Sequence, residues 1–358
     1  KRMLRSMPHL KIIGITGSFG KTSTKNFLYR VLSEKYNVLM TPGNFNTTLG
    51  VVRTIREHLK PHHEVFIVEM GAKQRGDIKE ICDLVEPHMG IVTSVGDMHL
   101  ETFGSVENVA RTKFELIEAL PDHGFGVVNI DSEAAYDYLK TSGVKASTYG
   151  IENVDAEYRA VNIQYLPNET KFDVKHNGEV AEGFVTHILG RGNILNILGA
   201  LAIAERLGVN VNSRRRAVRQ IEQIEHRLSM RRNGGVVILD DAYNSNPTGA
   251  RMALEVLSGF VTTGKRYVVT PGFVEMGAKQ FANNKAFGED IAVARPDRVF
   301  VVNEVNRKAI TEGLAEGGYP HEQVSCVASF SEAMSELQPQ LKAGDVVLYE
   351  NDLPDSFK

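Results

Sequence analysis

The sequence predicts an α/β fold of two domains, each built on a mainly parallel sheet covered by helices, with a small antiparallel addition to the first. Three observations carry this. Apolar, strand-like runs alternate with helix-period segments over residues 11–130, and the alternation restarts beyond residue 224. Between them, at 156–189, apolar and polar residues alternate more nearly one by one. Strand–helix alternation calls for parallel strands joined by covering helices, and residue-by-residue alternation calls for half-exposed strands.

In chain order, a strand is expected at 11–16, a helix at 22–35, a strand at 65–69 and a helix at 77–84. A strand at 90–95, a helix at 105–120 and a strand at 126–130 follow. The antiparallel segments are 158–165, 171–175 and 183–188, with Asn177-Gly178 as a hairpin turn. A helix over 193–207 ends at Gly208, a residue suited to the left-handed C-cap. The second block has strands at 236–239, 267–270, 298–302, 324–327 and 345–349, with helices between them. These assign residues 1–224 to a first domain and 225–358 to a second, the join lying near Ile224.

The composition is ordinary for a globular chain, 42% hydrophobic and 24% charged. A net charge of −3 argues against nucleic-acid binding through bulk electrostatics. The Arg214-Arg215-Arg216 cluster reads most simply as a solvated helix face. Two cysteines, Cys82 and Cys326, make no disulfide framework and suit a reducing, cytoplasmic compartment. No apolar run approaches the ~20 residues of a membrane span. With about a dozen residues ahead of the first strand and no signal peptide, the sequence reads as a truncated piece.

The strongest local signal is Thr16-Gly17-Ser18-Phe19-Gly20-Lys21-Thr22-Ser23-Thr24, between an apolar strand and a helix. Such a loop cradles phosphates: backbone N–H groups and a helix N-terminus face the oxygens, Lys21 neutralises charge, and the Thr22 hydroxyl suits Mg²⁺. The general phosphate loop has four residues between its glycines, which would put the first at Ile15; here it is Gly17.

Ligands of open parallel sheets collect at the carboxyl ends of strands. Glu69 closes one such strand, where it reads either as a metal-holding carboxylate or as a solvated strand end. His99 follows another, metal-binding or structural. Lys113 falls on the apolar stripe Val106, Val109, Ile117, Leu120 of its helix. It either snorkels or is buried; a buried lysine has a lowered pKa and an amine able to take up CO₂ as a metal-binding carbamate. Asn193 and Asn196 lie three apart at a helix start, placed to reach a base edge or to cap. The run Asp240–Pro247 holds two acids, an aromatic and amides, more than a turn requires.

Taken together these residues resemble the Mur ligases of bacterial cell-wall synthesis. The matching motifs are Thr16–Thr24, Thr41-Pro42-Gly43-Asn44-Phe45-Asn46, Glu69-Met70-Gly71-Ala72 and His99-Leu100-Glu101-Thr102 with Lys113. Gly190-Arg191-Gly192-Asn193 with Asn196, His226-Arg227-Leu228, Asp240–Pro247 and Glu275-Met276-Gly277 continue the match in the family's order. The resemblance is nearest the D-Ala-D-Ala-adding branch. It implies a central P-loop ATPase domain followed by a Rossmann-like ligase domain, ATP with two Mg²⁺ ions, and amide formation through an acyl phosphate. It implies that Gly17, Ser18, Gly20, Lys21, Thr22 and Ser23 serve the triphosphate, with Thr22 and Glu69 on one metal. His99 and a carbamylated Lys113 would serve a second metal. Asn193 and Asn196 would approach the adenine, and Arg227, Asp241, Tyr243 and Asn244 would complete the nucleotide site. Asn44, Asn46 and Thr47 would face the muramyl peptide. The implied partners are UDP-muramyl tripeptide and D-Ala-D-Ala, with no nucleic acid, and the chain is expected to be a monomer. The family's amino-terminal UDP-binding domain is absent, and a related branch carries hydrophobic segments there instead, so a membrane anchor ahead of Lys1 is one expectation. Pro271-Gly272-Phe273 and Asn284 depart from the family's pattern. Folylpolyglutamate- or cyanophycin-type ligation, or a non-catalytic ATP-binding subunit, remain the alternatives.

Overall fold

The computed structural model describes residues 1–96, 100–166, 169–222, 228–242 and 246–351. They divide into two compact units, one of Lys1–His187 with Gly192–Ile221, the other of Ile188–Arg191 with the described residues from Glu222 on.

The first unit opens with α1 (Arg2–Arg5), β1 (Lys11–Thr16), α2 (Lys21–Leu32), β2 (Val38–Met40) and α3 (Thr48–Glu57). β3 (Val65–Glu69), α4 (Asp77–Val85), β4 (Met89–Val92), α5 (Leu100–Phe103) and α6 (Val106–Glu118) follow. Then come β5 (Phe125–Asn129), α7 (Glu133–Ser142), β6 (Ser147–Gly150), β7 (Tyr158–Leu166), β8 (Glu169–His176) and β9 (Glu179–Thr186). α8 (Arg191–Arg206) and α9 (Val211–Arg219) close it.

All these strands form one nine-stranded sheet in the order β2-β3-β1-β4-β5-β6-β7-β8-β9. β1 is central, parallel to β3 on one side and β4 on the other, which aligns Ile15 with Glu69 and Thr16 with Val92. The expected antiparallel addition is an extension of this sheet: β7 joins β6 in parallel, and only β7–β8 and β8–β9 pair antiparallel. Asn177 and Gly178, both at positive φ, make the β8–β9 turn. One sheet face, with Ile12, Phe66, Val68, Val92 and Val128, packs under α4 and α6 through Ile78, Ile81, Phe114 and Ile117. The strand expected at 90–95 stops at Val92, because the side chains of Thr93 and Ser94 bond to the phosphate loop instead. The arginine cluster is not simply solvated: Arg214 is buried and pairs with Glu205 at 2.5 Å.

The second unit comprises β10 (Ser229–Asn233), β11 (Val236–Asp241), α10 (Pro247–Gly259), β12 (Arg266–Thr270) and α11 (Gln280–Ala294). β13 (Arg298–Val302), α12 (Arg307–Glu316), β14 (Val324–Val327), α13 (Phe330–Leu337) and β15 (Val346–Glu350) complete it. Its sheet runs β10-β11-β15-β12-β13-β14, parallel except for β10. Side chains alternate across it as a two-residue period demands. Val268, Val299, Val301 and Leu348 face α10, α11 and α12, whereas Tyr267, Val269, Phe300 and Val347 face α13. Ile188–Arg191 belongs with this unit: Leu189 joins its core, and Arg191 pairs with Glu255 at 4.0 Å. No helix among the described residues is long and apolar enough to cross a membrane.

Candidate active site

The phosphate loop is shaped by two glycines and fastened from below. Gly17 has φ 151° and Gly20, the residue before α2, has φ 83°. A Cβ on Gly17 would lie 2.0 Å from Thr93 Oγ1 and 2.9 Å from the Ser94 backbone nitrogen, so only glycine fits. Thr93 Oγ1 donates to the Phe19 carbonyl at 2.6 Å, and the Ser94 hydroxyl accepts from the Phe19 N–H at 3.0 Å. Ser18 turns its hydroxyl to the Gly96 N–H at 2.9 Å, and Ser23 is buried in the first turn of α2. Lys21 folds back over the loop, donating to the carbonyls of Gly17 at 2.7 Å and Ser18 at 3.2 Å. An ammonium that donates to carbonyls can exchange them for a charged acceptor such as a phosphate oxygen. Thr93 and Ser94 went unread as site residues because they extend an apolar strand; two hydroxyls at its end were the available signal.

Glu69, at the end of β3 beside β1, is 1% exposed, which excludes the solvated strand end. Its Oε1 accepts from the Thr22 hydroxyl at 3.2 Å and from Asn46 Nδ2 at 3.2 Å. Its Oε2 lies 2.9 Å from Lys25 Nζ, placed as an ion pair without hydrogen-bond alignment. The Thr41 hydroxyl accepts from its N–H at 3.1 Å. Of the loop residues, Asn46 is therefore drawn into the site, Thr47 caps α3 by accepting from the Gly50 N–H at 3.3 Å, and Asn44 is exposed. Thr22 and Glu69 offer hard oxygen donors at the helix end that faces phosphate. That set fits Mg²⁺, which takes one or two protein oxygens and completes its shell with water and phosphate. Among the described residues no three His, Cys, Asp or Glu side chains gather as a metal cage, and His99 lies outside them.

Lys113 is 3% exposed within α6, so it is buried and does not snorkel. Burial, chiefly, and the charge of Lys21 pull its pKa down to about 7, against the weaker opposing pull of Asp77 and Glu115. Glu115 is engaged elsewhere, accepting from the N–H groups of Gly76 and Lys79, both at 2.9 Å, at the start of α4. The outcome is a buried amine, largely neutral just above pH 7, that feels the charge of the phosphate-loop lysine.

Asn193 and Asn196 sit inside α8 and so are not its caps. Asn196 Oδ1 accepts from Thr24 Oγ1 at 3.2 Å, and a Cβ on Gly20 would come within 2.6 Å of it, so this amide rests on the phosphate loop itself. In the second unit, Asp241 Oδ1 accepts from the Leu228 N–H at 2.9 Å, and Asp241 lies in register with buried Glu350. Asn246 is spent on capping α10. Arg227, Tyr243 and Asn244 lie outside the described residues. Asn284 is wholly buried: it accepts from the Phe273 N–H at 2.8 Å and donates to the Phe273 carbonyl at 2.9 Å, pinning the Pro271–Phe273 turn. Asn306 donates to the carbonyls of Pro271 and Phe273 at 3.0 and 2.8 Å.

A phosphate loop on a parallel sheet, with a buried carboxylate and three lysines around it, defines a protein that holds a polyphosphate. The Mur ligase middle domain matches residues 15–204, and the Mur ligase, glutamate ligase domain matches residues 226–349. The chain belongs to the Mur ligase family and is an ATP-dependent ligase. A UDP-N-acetylmuramoyl-tripeptide–D-alanyl-D-alanine ligase of Mycobacterium tuberculosis is 31% identical over 361 residues, covering 95% of this chain and 70% of the relative. One from Bacillus subtilis is 27% identical over 344 residues, covering 95% and 72%. Among solved structures, a MurF ligase from Thermotoga maritima in complex with ADP superposes with TM-score 0.83 at 26% identity, covering 98% of this chain and 78% of that one. MurF from Acinetobacter baumannii shares the fold with TM-score 0.86 at 24% identity, covering 98% and 75%.

Proposed function

We propose that the protein joins D-Ala-D-Ala to the terminal carboxylate of a UDP-N-acetylmuramoyl tripeptide, with ATP converted to ADP and phosphate. The observation that carries this is the joining of the phosphate loop to the 41–47 loop through one buried carboxylate: Thr22 and Asn46 both donate to Glu69 Oε1. That arrangement suits a reaction in which a phosphate and an acid must meet. The relatives' printed names supply the identity of the acid and the amine.

A carboxylate is a poor acyl donor because its leaving group would be oxide. An oxygen of the substrate carboxylate attacks the γ-phosphorus, the bond to the β-bridging oxygen breaks, and ADP leaves. The amine then attacks the acyl carbon, phosphate departs with its electron pair, and the nitrogen loses its proton. Lys21 leaves its carbonyl partners to steady the transferring phosphoryl group. Mg²⁺, held by Thr22 and Glu69, would offset charge between the two anions. Gly17, Ser18, Gly20 and Ser23 would hold the triphosphate, and Asn193 and Asn196 would serve the base. Asn44, Asn46 and Thr47 receive the muramyl peptide. His99 and a carbamylated Lys113 would hold a second Mg²⁺, and Arg227, Asp241, Tyr243 and Asn244 would contact the nucleotide. The central ATPase domain is taken as residues 1–224 and the ligase domain as 225–358, acting as a cytoplasmic monomer.

Phosphate release should require ATP, the muramyl tripeptide and D-Ala-D-Ala together. ATP hydrolysis indifferent to both acid and amine, or turnover with folyl or aspartyl substrates in their place, refutes the assignment.

A further inference from the structure

We propose that Lys25 is a positioning residue of this site, latching the phosphate loop to the 41–47 loop and reserving one oxygen of Glu69 for the metal. This rests on the function proposed above. Lys25 lies on α2 three residues after Thr22, on the same helical face. It is 1% exposed, and its ammonium reaches two oxygens from different elements: Glu69 Oε2 on β3 at 2.9 Å and the Gly43 carbonyl at 2.6 Å. Burying an ammonium costs more than a plain ion pair returns, so stability alone explains its presence poorly.

The distances sort the carboxylate's partners into two kinds. The contacts of Lys25 are short, whereas Thr22 and Asn46 stand at 3.2 Å from Oε1, near the long limit for a hydrogen bond. Oε2 is thus held by the charge of Lys25, and Oε1 by two long hydrogen bonds, open to exchange of its partners for a cation. The same clamp fixes Gly43, in the turn whose later residue Asn46 bonds Oε1. An ammonium beside Oε2 also lowers the negative potential at Oε1, which weakens the hold on a cation while fixing its position. A flexible stem ending in a compact charge with three donors suits this double reach.

The test uses the full natural chain and Lys25→Met. Calorimetric ADP binding is measured across Mg²⁺ concentrations, together with KM for ATP and for UDP-muramyl tripeptide. Loss of the neighbouring charge should lower the half-saturating Mg²⁺ about threefold or more. Release of the loop should raise KM for the tripeptide about tenfold, with KM for ATP at saturating Mg²⁺ changed less than about twofold. Opposite shifts of metal and acid are a signature that a loosened fold does not produce. No shift in either, or weakening of metal, ATP and acid together with a lowered Tm, overturns the proposal. If the methionine variant does not fold, Lys25→Gln, which keeps a donor without charge, must show the same opposed shifts or the proposal fails. Wild-type turnover independent of the acid would instead sink the ligase assignment, while the Mg²⁺ shift in ADP binding would still uphold the role of Lys25 at Glu69.

Discussion

Burial of Lys113 makes the stability of the metal-free protein depend on pH in a calculable way. Its pKa is about 7 in the folded chain and 10.5 at its ordinary value. Below pH 7 both states hold the proton, and the cost of a buried ammonium is fully present. Between 7 and 10.5 the unfolded chain binds more protons than the folded one, so stability rises with pH; above 10.5 the cost is fully relieved. A displacement of that size corresponds to about 5 kcal/mol, with a slope of up to about 1.4 kcal/mol per pH unit. Lys113→Met has no such term, so subtracting its unfolding free energy from the wild-type value cancels the titrating groups that do not interact with Lys113. Guanidinium unfolding in metal-free, CO₂-free buffer should show wild type gaining about 2 kcal/mol on the variant between pH 6.5 and 8.5. The same pKa leaves about three quarters of the amine neutral at pH 7.5, against about one part in a thousand for an ordinary lysine. ¹³C-bicarbonate should therefore give a carbamate resonance in wild type that Lys113→Met lacks. A pH-independent stability difference would refute the buried, neutral amine, and absence of the resonance would end the carbamate.

Other perturbations test the scaffold around the site. Gly17→Ala places its methyl into Thr93 and should abolish measurable ADP binding in calorimetry while Tm stays within a few degrees; retained affinity would show that the loop tolerates a side chain. Asp131 accepts from the N–H groups of Ile151, Glu152 and Asn153 at 2.8, 3.1 and 2.9 Å, so Asp131→Ala should cost about 2 kcal/mol in unfolding without altering KM for ATP. Asn284→Leu strands the buried Phe273 N–H and should cost about 2–4 kcal/mol, seen as an earlier unfolding transition.

Much of the fold was legible because its signals are periodic. Residues 65–68 and 299–302 announce their strands as unbroken apolar runs, and α6 by its stripe, Lys113 included. β2 is three residues long with no fully buried position, so it carries no period to read. The β7–β9 extension was seen as antiparallel, but β7's parallel bond to β6 depends on a partner whose four residues carry little pattern. Arg214 was read from its neighbours in sequence, whereas its burial is decided by Glu205, nine positions away on another helix.

The site divides along the same line. The phosphate loop is local: glycines, lysine and hydroxyl occupy fixed offsets on one strand–turn–helix, so its chemistry can be read without a fold. Glu69 gains meaning only from the alignment of β3 with β1, which brings it beside Ile15 and under Thr22. Lys25 shows the limit. In sequence it is one more lysine in a helix, where solvation is the ordinary expectation. Its burial follows from two contacts that arise elsewhere, a strand end and a turn carbonyl. A buried cation is tolerable only where a carboxylate already waits, and that carboxylate accepts on its other side from Thr22 and Asn46. The phosphate loop, the proposed metal position and the 41–47 loop are therefore not three motifs that happen to be adjacent. They share one carboxylate, so displacing any of its partners should be felt by the other two.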